Sequence, residues 1–128
     1  MRLLLDTHAL LWYTEGNPLL SDRARRALAD SRNERFVSHA TLWEVAIKLS
    51  RGKLKLRIPF EELLPGVIKA NGWQLLDSQP SHYLELLALP HLHRDPFDRL
   101  ILAQAQVEQL TIVTCDREFP AYGQPLFW

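Results

Sequence analysis

The chain is short of everything that would mark a secreted or membrane protein. It has a single cysteine among its 128 residues, so no internal disulfide can form. No apolar run approaches the roughly 20 residues needed to span a bilayer, which excludes membrane insertion. The opening Met-Arg-Leu-Leu-Leu-Asp lacks the long apolar region of a signal peptide. A reducing, cytoplasmic setting is the expectation. Net charge is missing as well: 15 basic residues balance 15 acidic ones, so nothing in the total announces a nucleic-acid partner, and local clusters must be read instead. Repeats, low-complexity tracts and linkers are also lacking. A hydrophobic content of 47% in 128 residues is enough for one core, and residues 1–128 are expected to form one domain.

What is present centres on Arg94-Asp95-Pro96-Phe97-Asp98-Arg99-Leu100-Ile101-Leu102-Ala103-Gln104-Ala105. Proline suits the first position of a helix, where its missing N–H has no intrahelical partner anyway. Asp95 is then the cap, and Asp98 falls in the first turn, where free N–H groups and the helix dipole favour negative charge. Leu100, Ile101, Ala103, Ala105 and Val107 supply the apolar face of an interior helix.

In chain order, residues 2–5 read as a short buried strand stopping at Asp6-Thr7, followed by a helix over about 7–13. Ser21 caps a basic helix, and residues 35–38 form a second strand. Thr41 opens a third helix that Gly52 closes. A fourth helix over 60–70 contains Pro65-Gly66, a pair that bends or splits helices. Residues 73–77 read as strand, 80–89 as helix, 110–114 as strand and 126–128 as a short last strand. Apolar strands alternating with helices argue for an α/β fold, a parallel sheet with helices on both faces. In such folds sites lie beyond the carboxyl ends of the strands. Asp6 and Asp116 follow strands, and Glu44 and Asp98 sit in the first turns of helices that start at the same edge, so all four carboxylates can gather there.

Each acid also fits as a plain helix-start residue. Thr41-Leu42-Trp43-Glu44 matches a capping box, and Asp6 and Asp116 suit N-caps. Capping alone does not explain why acids from separate segments converge without a partner cation. Clustered carboxylates repel unless protons are taken up or a metal neutralises them, and a hard divalent cation is the natural partner.

Together, Leu5-Asp6-Thr7, Ser38-His39-Ala40-Thr41-Leu42-Trp43-Glu44, the stretch 94–105 and Thr114-Cys115-Asp116 resemble the PIN-domain ribonucleases, most of all the toxin half of VapBC toxin–antitoxin modules. The resemblance covers essentially the whole chain. It implies a three-layer α/β/α domain with a central, mainly parallel sheet of four or five strands. It further implies that Asp6, Glu44, Asp98 and Asp116 hold Mg²⁺ or Mn²⁺ for the hydrolysis of RNA, with Thr7 and Ser38 as hydroxyl-bearing neighbours. A cognate antitoxin and a homodimer are the partners it implies. Many relatives have asparagine where this chain has His8, which bears on substrate contacts, and Asp95 matches an extra acid of one toxin branch.

Other residues are read more plainly. His91-Leu92-His93-Arg94-Asp95 alternates ligand types but lacks a second histidine cluster, so loop histidines are expected. His39 and His82 are isolated. Cys115 is expected to be small and buried, and Trp12, Trp43 and Trp73 to pack in the core. Residues 48–57 carry Lys48, Arg51, Lys53, Lys55 and Arg57 with no acid. Beyond Gly52 the cations alternate with leucines, as in an extended segment with one charged side for phosphate or an acidic partner. Arg99 and Arg117, each beside a proposed metal acid, are further phosphate-contact candidates.

Three functions fit to different degrees: a metal-dependent endoribonuclease, a phospho-acceptor signalling domain, and a catalytically inactive α/β RNA- or protein-binding module whose acids only cap helices. The second needs paired acids after the first strand, where Leu5 precedes Asp6, and a lysine after a late strand, where Cys115 follows Thr114. The third must account for all four acids of the family being present. The endoribonuclease is the reading these residues favour.

Overall fold

The computed structural model describes residues 1–128. Five strands, β1 (Arg2–Leu5), β2 (Glu34–Ser38), β3 (Gln74–Leu76), β4 (Thr111–Val113) and β5 (Leu126–Phe127), form one sheet. Its order is β3-β2-β1-β4-β5, and every neighbouring pair is parallel. The helices are α1 (Thr7–Glu15), α2 (Asp22–Ala29), α3 (His39–Ser50), α4 (Pro80–Ala88) and α5 (Pro96–Glu108). Between α3 and β3 a 3-10 turn, Phe60–Glu62, runs into a π-helical segment, Leu63–Lys69. Pro65 lies within that segment and has no N–H to give to a regular ladder, which accounts for the irregular winding at the Pro65-Gly66 pair.

Side chains that alternate along a strand leave the sheet on opposite faces. Leu3, Leu5, Val37 and Val113 pack on one face with Leu10, Leu20, Leu28 and Trp73. Leu4, Phe36 and Ile112 pack on the other with Ile101, Leu102, Ala105 and Phe119. The sheet is therefore dry on both sides, as an all-parallel sheet requires. A smaller cluster of Leu11, Val45 and Leu63 joins α1, α3 and the π-helical segment.

The expected elements are all present, with boundaries moved by a residue or two. One start differs in kind. Ser38, not Thr41, caps α3: its Oγ accepts from the Ala40 N–H at 3.0 Å, and the helix begins at His39. The cap belongs to the last strand residue because Ser38 is already in extended conformation (φ −71°, ψ 143°), the geometry an N-cap needs. Thr41 is consequently inside the helix, buried, with its hydroxyl unpartnered, and Glu44 lies beyond the first turn rather than in a capping box.

The order of strand addition reverses between β1 and β4: the connections from β1 lead outward to β2 and β3, and the last strands lie on the other side. Ligand crevices of open α/β sheets form at such a switch, beyond the carboxyl ends of its strands. Asp6 directly follows β1, and Asp116 follows β4 by three residues.

Candidate metal centre

Asp6 is the N-cap of α1, its Oδ1 accepting from the Ala9 N–H at 2.7 Å, and it is buried. Burial pushes its carboxyl up to about 6, against hydrogen bonds from Thr114 and the Ala9 backbone that pull it down; the nearby charge of Asp116 adds to the rise. Asp98 lies in the first turn of α5 with its side chain 16% exposed. Its carboxyl is pushed up to about 7, first by burial and then by the charges of Asp95, Glu44 and Asp6, with His93 pulling the other way. Asp116 is half-buried; its Oδ1 accepts from the Glu118 N–H at 2.9 Å, so it caps a turn and not a helix. These shifts express both burial and the mutual repulsion of carboxylates brought to one rim.

Glu44 is buried on α3 and differs from the other acids because both of its oxygens are engaged. Thr7 Oγ1 donates to Oε1 at 2.6 Å and Lys48 Nζ to Oε2 at 2.5 Å. The bond to Glu44 raises the pKa of Lys48. Lys48, its side chain partly exposed, is therefore the cation paired with Glu44 at the acidic rim.

Other expected site residues are placed differently from one another. Ser38 Oγ donates to Gln104 Oε1 at 2.6 Å and, together with its cap bond, is used in joining β2 to α5. Asp95 caps α5, accepting from the N–H groups of Phe97 at 2.8 Å and Asp98 at 3.1 Å. The Arg99 guanidinium donates to the carbonyls of Pro90 and Leu86, so part of its donor set braces the loop before α5. Arg51, Lys53, Lys55, Arg57 and Arg117 are exposed. Leu54, Leu56 and Ile58 between them turn inward onto the Leu11–Val45 cluster, so one side of this segment is charged, as its alternation suggested.

Several residues depart from expectation. Cys115 is exposed, because the chain leaves the sheet after Val113. Trp43 is 63% exposed and meets Phe97 edge-to-face at 5.3 Å, each aromatic standing one residue before an acid of the rim. Trp73 is buried as expected, and Trp12 is half-buried between His8 and Trp128. His91 is an exposed loop residue, but His93 is buried among carboxylates. Its Nε2 lies 3.1 Å from Asp98 Oδ2 and 3.2 Å from Asp116 Oδ2, and its Nδ1 lies 2.9 Å from Glu118 Oε2. Sequence reasoning missed both His93 and Glu118. The signal for His93 was its place two residues before the cap of α5. His93 also lines a cleft of about 640 Å³ with Leu86, Leu87, His91, Arg94, Pro96 and Arg99.

Oxygen donors dominate this rim, at least two of them hold protons more tightly than ordinary carboxylates, and only Glu44 has a lysine to balance it. Such a donor set fits a hard divalent cation, which would offset the repulsion that protons otherwise relieve.

The sequence profile of the PIN domain matches residues 3–124. No curated protein sequence matches the chain. Among solved structures the chain is similar to VapBC2 of Rickettsia felis, crystallised with a DNA fragment from its promoter, at TM-score 0.76 and 19% identity over 99% of this chain and 98% of that one. It is similar to FitAcB of Neisseria gonorrhoeae at TM-score 0.68 and 20% identity, over 98% of this chain and 96% of that one. A toxin–antitoxin complex from Klebsiella pneumoniae gives TM-score 0.62 and 19% identity, over 91% and 89%. The structural likeness, at these identities, concerns the fold, a five-stranded parallel sheet between helices. With a profile match that runs nearly from end to end, the chain belongs to the PIN domain family.

Proposed function

We propose that this chain is a divalent-metal-dependent endoribonuclease and the toxin of a toxin–antitoxin module, with residues 1–128 acting as one cytoplasmic domain. The observation that carries the reading is the placement of buried Asp6 and largely enclosed Asp98, whose carboxyls burial pushes up, with Asp116 at the carboxyl rim of a PIN-family sheet. Asp6, Asp98 and Asp116 would hold Mg²⁺ or Mn²⁺, and Glu44 would complete the acidic wall, its charge oriented by Thr7 and matched by Lys48. When bound, the cation supplies a Lewis-acidic centre that activates water and stabilises charge on a phosphate. The exposed cations Arg51, Lys53, Lys55, Arg57 and Arg117 suit the RNA backbone, and exposed Trp43 suits an unpaired base.

With Mg²⁺ or Mn²⁺ the protein should cut single-stranded or loop RNA to 5′-phosphate and 3′-hydroxyl ends, because water and not the ribose 2′-hydroxyl is the nucleophile. End-group analysis of the fragments, with EDTA controls, checks this. Cleavage that resists EDTA, or 2′,3′-cyclic phosphate products, would overturn the mechanism. Complete inactivity with bound metal would favour a binding module whose acids cap helices, as Asp6 and Asp95 do.

The toxin role draws on the similar fold of a chain from a toxin–antitoxin complex. An antitoxin would lay an apolar segment on the surface and bring a cationic side chain to the carboxylates. Co-expression with the small protein encoded beside it should yield a stable complex of a homodimeric toxin with cleavage suppressed. A monomer indifferent to that protein at micromolar concentration would remove the toxin assignment and leave the nuclease reading standing.

A further inference from the structure

Among the carboxylates of the rim stands one imidazole, His93. Its side chain is only 7% exposed. The residue is held at three points: its ring meets Phe119 at a centroid distance of 5.7 Å, its backbone N–H donates to Tyr122 Oη at 2.7 Å, and Glu118 stands at Nδ1. The one polar direction left open, from Nε2, leads between Asp98 and Asp116. The ligand atoms of these three residues all lie within 4.8 Å of one another.

We propose that His93 Nε2 is a direct ligand of the divalent cation together with Asp98 and Asp116, and that Glu118 orients the ring by accepting the Nδ1 proton. The inference rests on the metal-centre reading above and deepens it, making the centre a mixed nitrogen–oxygen site. Ligand atoms about 2.1–2.2 Å from a common ion and at right angles to one another stand roughly 3.0–3.1 Å apart. The separations from Nε2 to the two carboxylate oxygens, 3.1 and 3.2 Å, match adjacent positions of such an octahedron. The second nitrogen of a metal-bound histidine ordinarily donates to a carboxylate or carbonyl, which fixes the tautomer and makes the ligating nitrogen more basic. Glu118 Oε2, 2.9 Å from Nδ1, is placed for that. The Asp95 N–H also points at Nδ1, at 3.1 Å. The two partners serve two tautomers. Nδ1 accepts from the Asp95 N–H in one tautomer and donates to Glu118 in the other, and the second would leave the Nε2 lone pair for the ion.

An imidazole donor shifts preference from Mg²⁺ toward first-row transition ions, with Mn²⁺ the weakest of that series and Zn²⁺ stronger. The test uses the full chain loaded with Mn²⁺ and pulsed electron paramagnetic resonance, which detects a directly bound ¹⁴N through its modulation of the spin echo. Wild type should show ¹⁴N modulation. His93→Gln should lose it while still binding Mn²⁺ through the acids, and its preference for Mn²⁺ over Mg²⁺ should fall roughly tenfold. Glu118→Gln should keep the modulation and bind roughly 10–100-fold more weakly, as second-sphere substitutions do. Bound Mn²⁺ without ¹⁴N modulation in wild type, or modulation that survives His93→Gln, would overturn the ligand assignment and leave the carboxylate centre intact. Failure of wild type to bind Mn²⁺ at all would overturn the metal-centre reading itself.

Discussion

Asp98→Asn should cut cleavage to a small residue of its rate and at the same time make the metal-free chain more stable. Asn keeps the shape of the carboxylate but not its charge, and that charge is held in a largely enclosed site beside Asp95, Glu44 and Asp6. A carboxyl pushed up to about 7 is one whose ionised form the fold disfavours. Its replacement should raise stability at pH 8 by about 1–3 kcal/mol, after allowing for the lost contact with His93. Activity should fall by roughly 10³-fold, on the scale of removing a preorganised charge from a reaction centre. Asp95 provides the contrast within the same turn. Asp95→Asn should stay active, since asparagine caps about as well as aspartate, whereas Asp95→Ala should lose about 0.5–2 kcal/mol of stability. Thermal unfolding with and without Mg²⁺, run beside cleavage rates, reads all three. An Asp98→Asn protein that cuts RNA normally and keeps its Mg²⁺ stabilisation would make Asp98 a helix-start residue and nothing more.

Metal-free stability should decline as pH rises from about 4 to about 7, and added Mg²⁺ should reverse the trend. The unfolded chain sheds the protons of Asp6 and Asp98 near 3.8, while the folded chain keeps them to about 6 and about 7. Between those limits the folded state binds more protons, so this contribution is fully present below the unfolded value and is gone above the folded one. Mg²⁺ competes with those protons, so its effect should be small at pH 5 and large at pH 8. At a hundredfold excess over Kd the gain is about 2.7 kcal/mol, on the order of 10 °C in Tm for a chain of this size. The difference between wild type and Asp98→Asn isolates the contribution of Asp98. Equal Mg²⁺ shifts at the two pH values would show that the cation does not meet Asp6 and Asp98.

Where the sequence could be read, local chemistry was decisive. Asp95-Pro96 marked the start of α5, Ser21 marked α2, and strand residues such as Leu3, Leu4 and Leu5 implied a sheet buried on both faces. The convergence of the acids needed only strand direction, which alternating helices and strands imply. The misreadings came from tertiary context. Two hydroxyls three residues apart, Ser38 and Thr41, both suit an N-cap, and only the end of β2 decides between them. Lys48 reads as one of a run of cations until α3 is wound and Glu44 falls one turn below it. His93 lies in a loop, where no periodicity reports burial, and its surroundings come from Glu118 and Asp116 more than twenty residues later. Trp43 breaks the expectation that tryptophan packs inside: it stands 63% exposed on α3, with Phe97 edge-to-face against it.

The sheet ends in very short strands, three residues in β3 and two in β5. An outer strand of that length offers too few free N–H and C=O groups to template a further strand, which is how many sheets avoid growing into one another. Two copies of this chain are thereby denied a continuous intermolecular sheet. Contact between copies is left to other surfaces, and α4 carries apolar side chains open to solvent, Tyr83, Leu84 and Leu87.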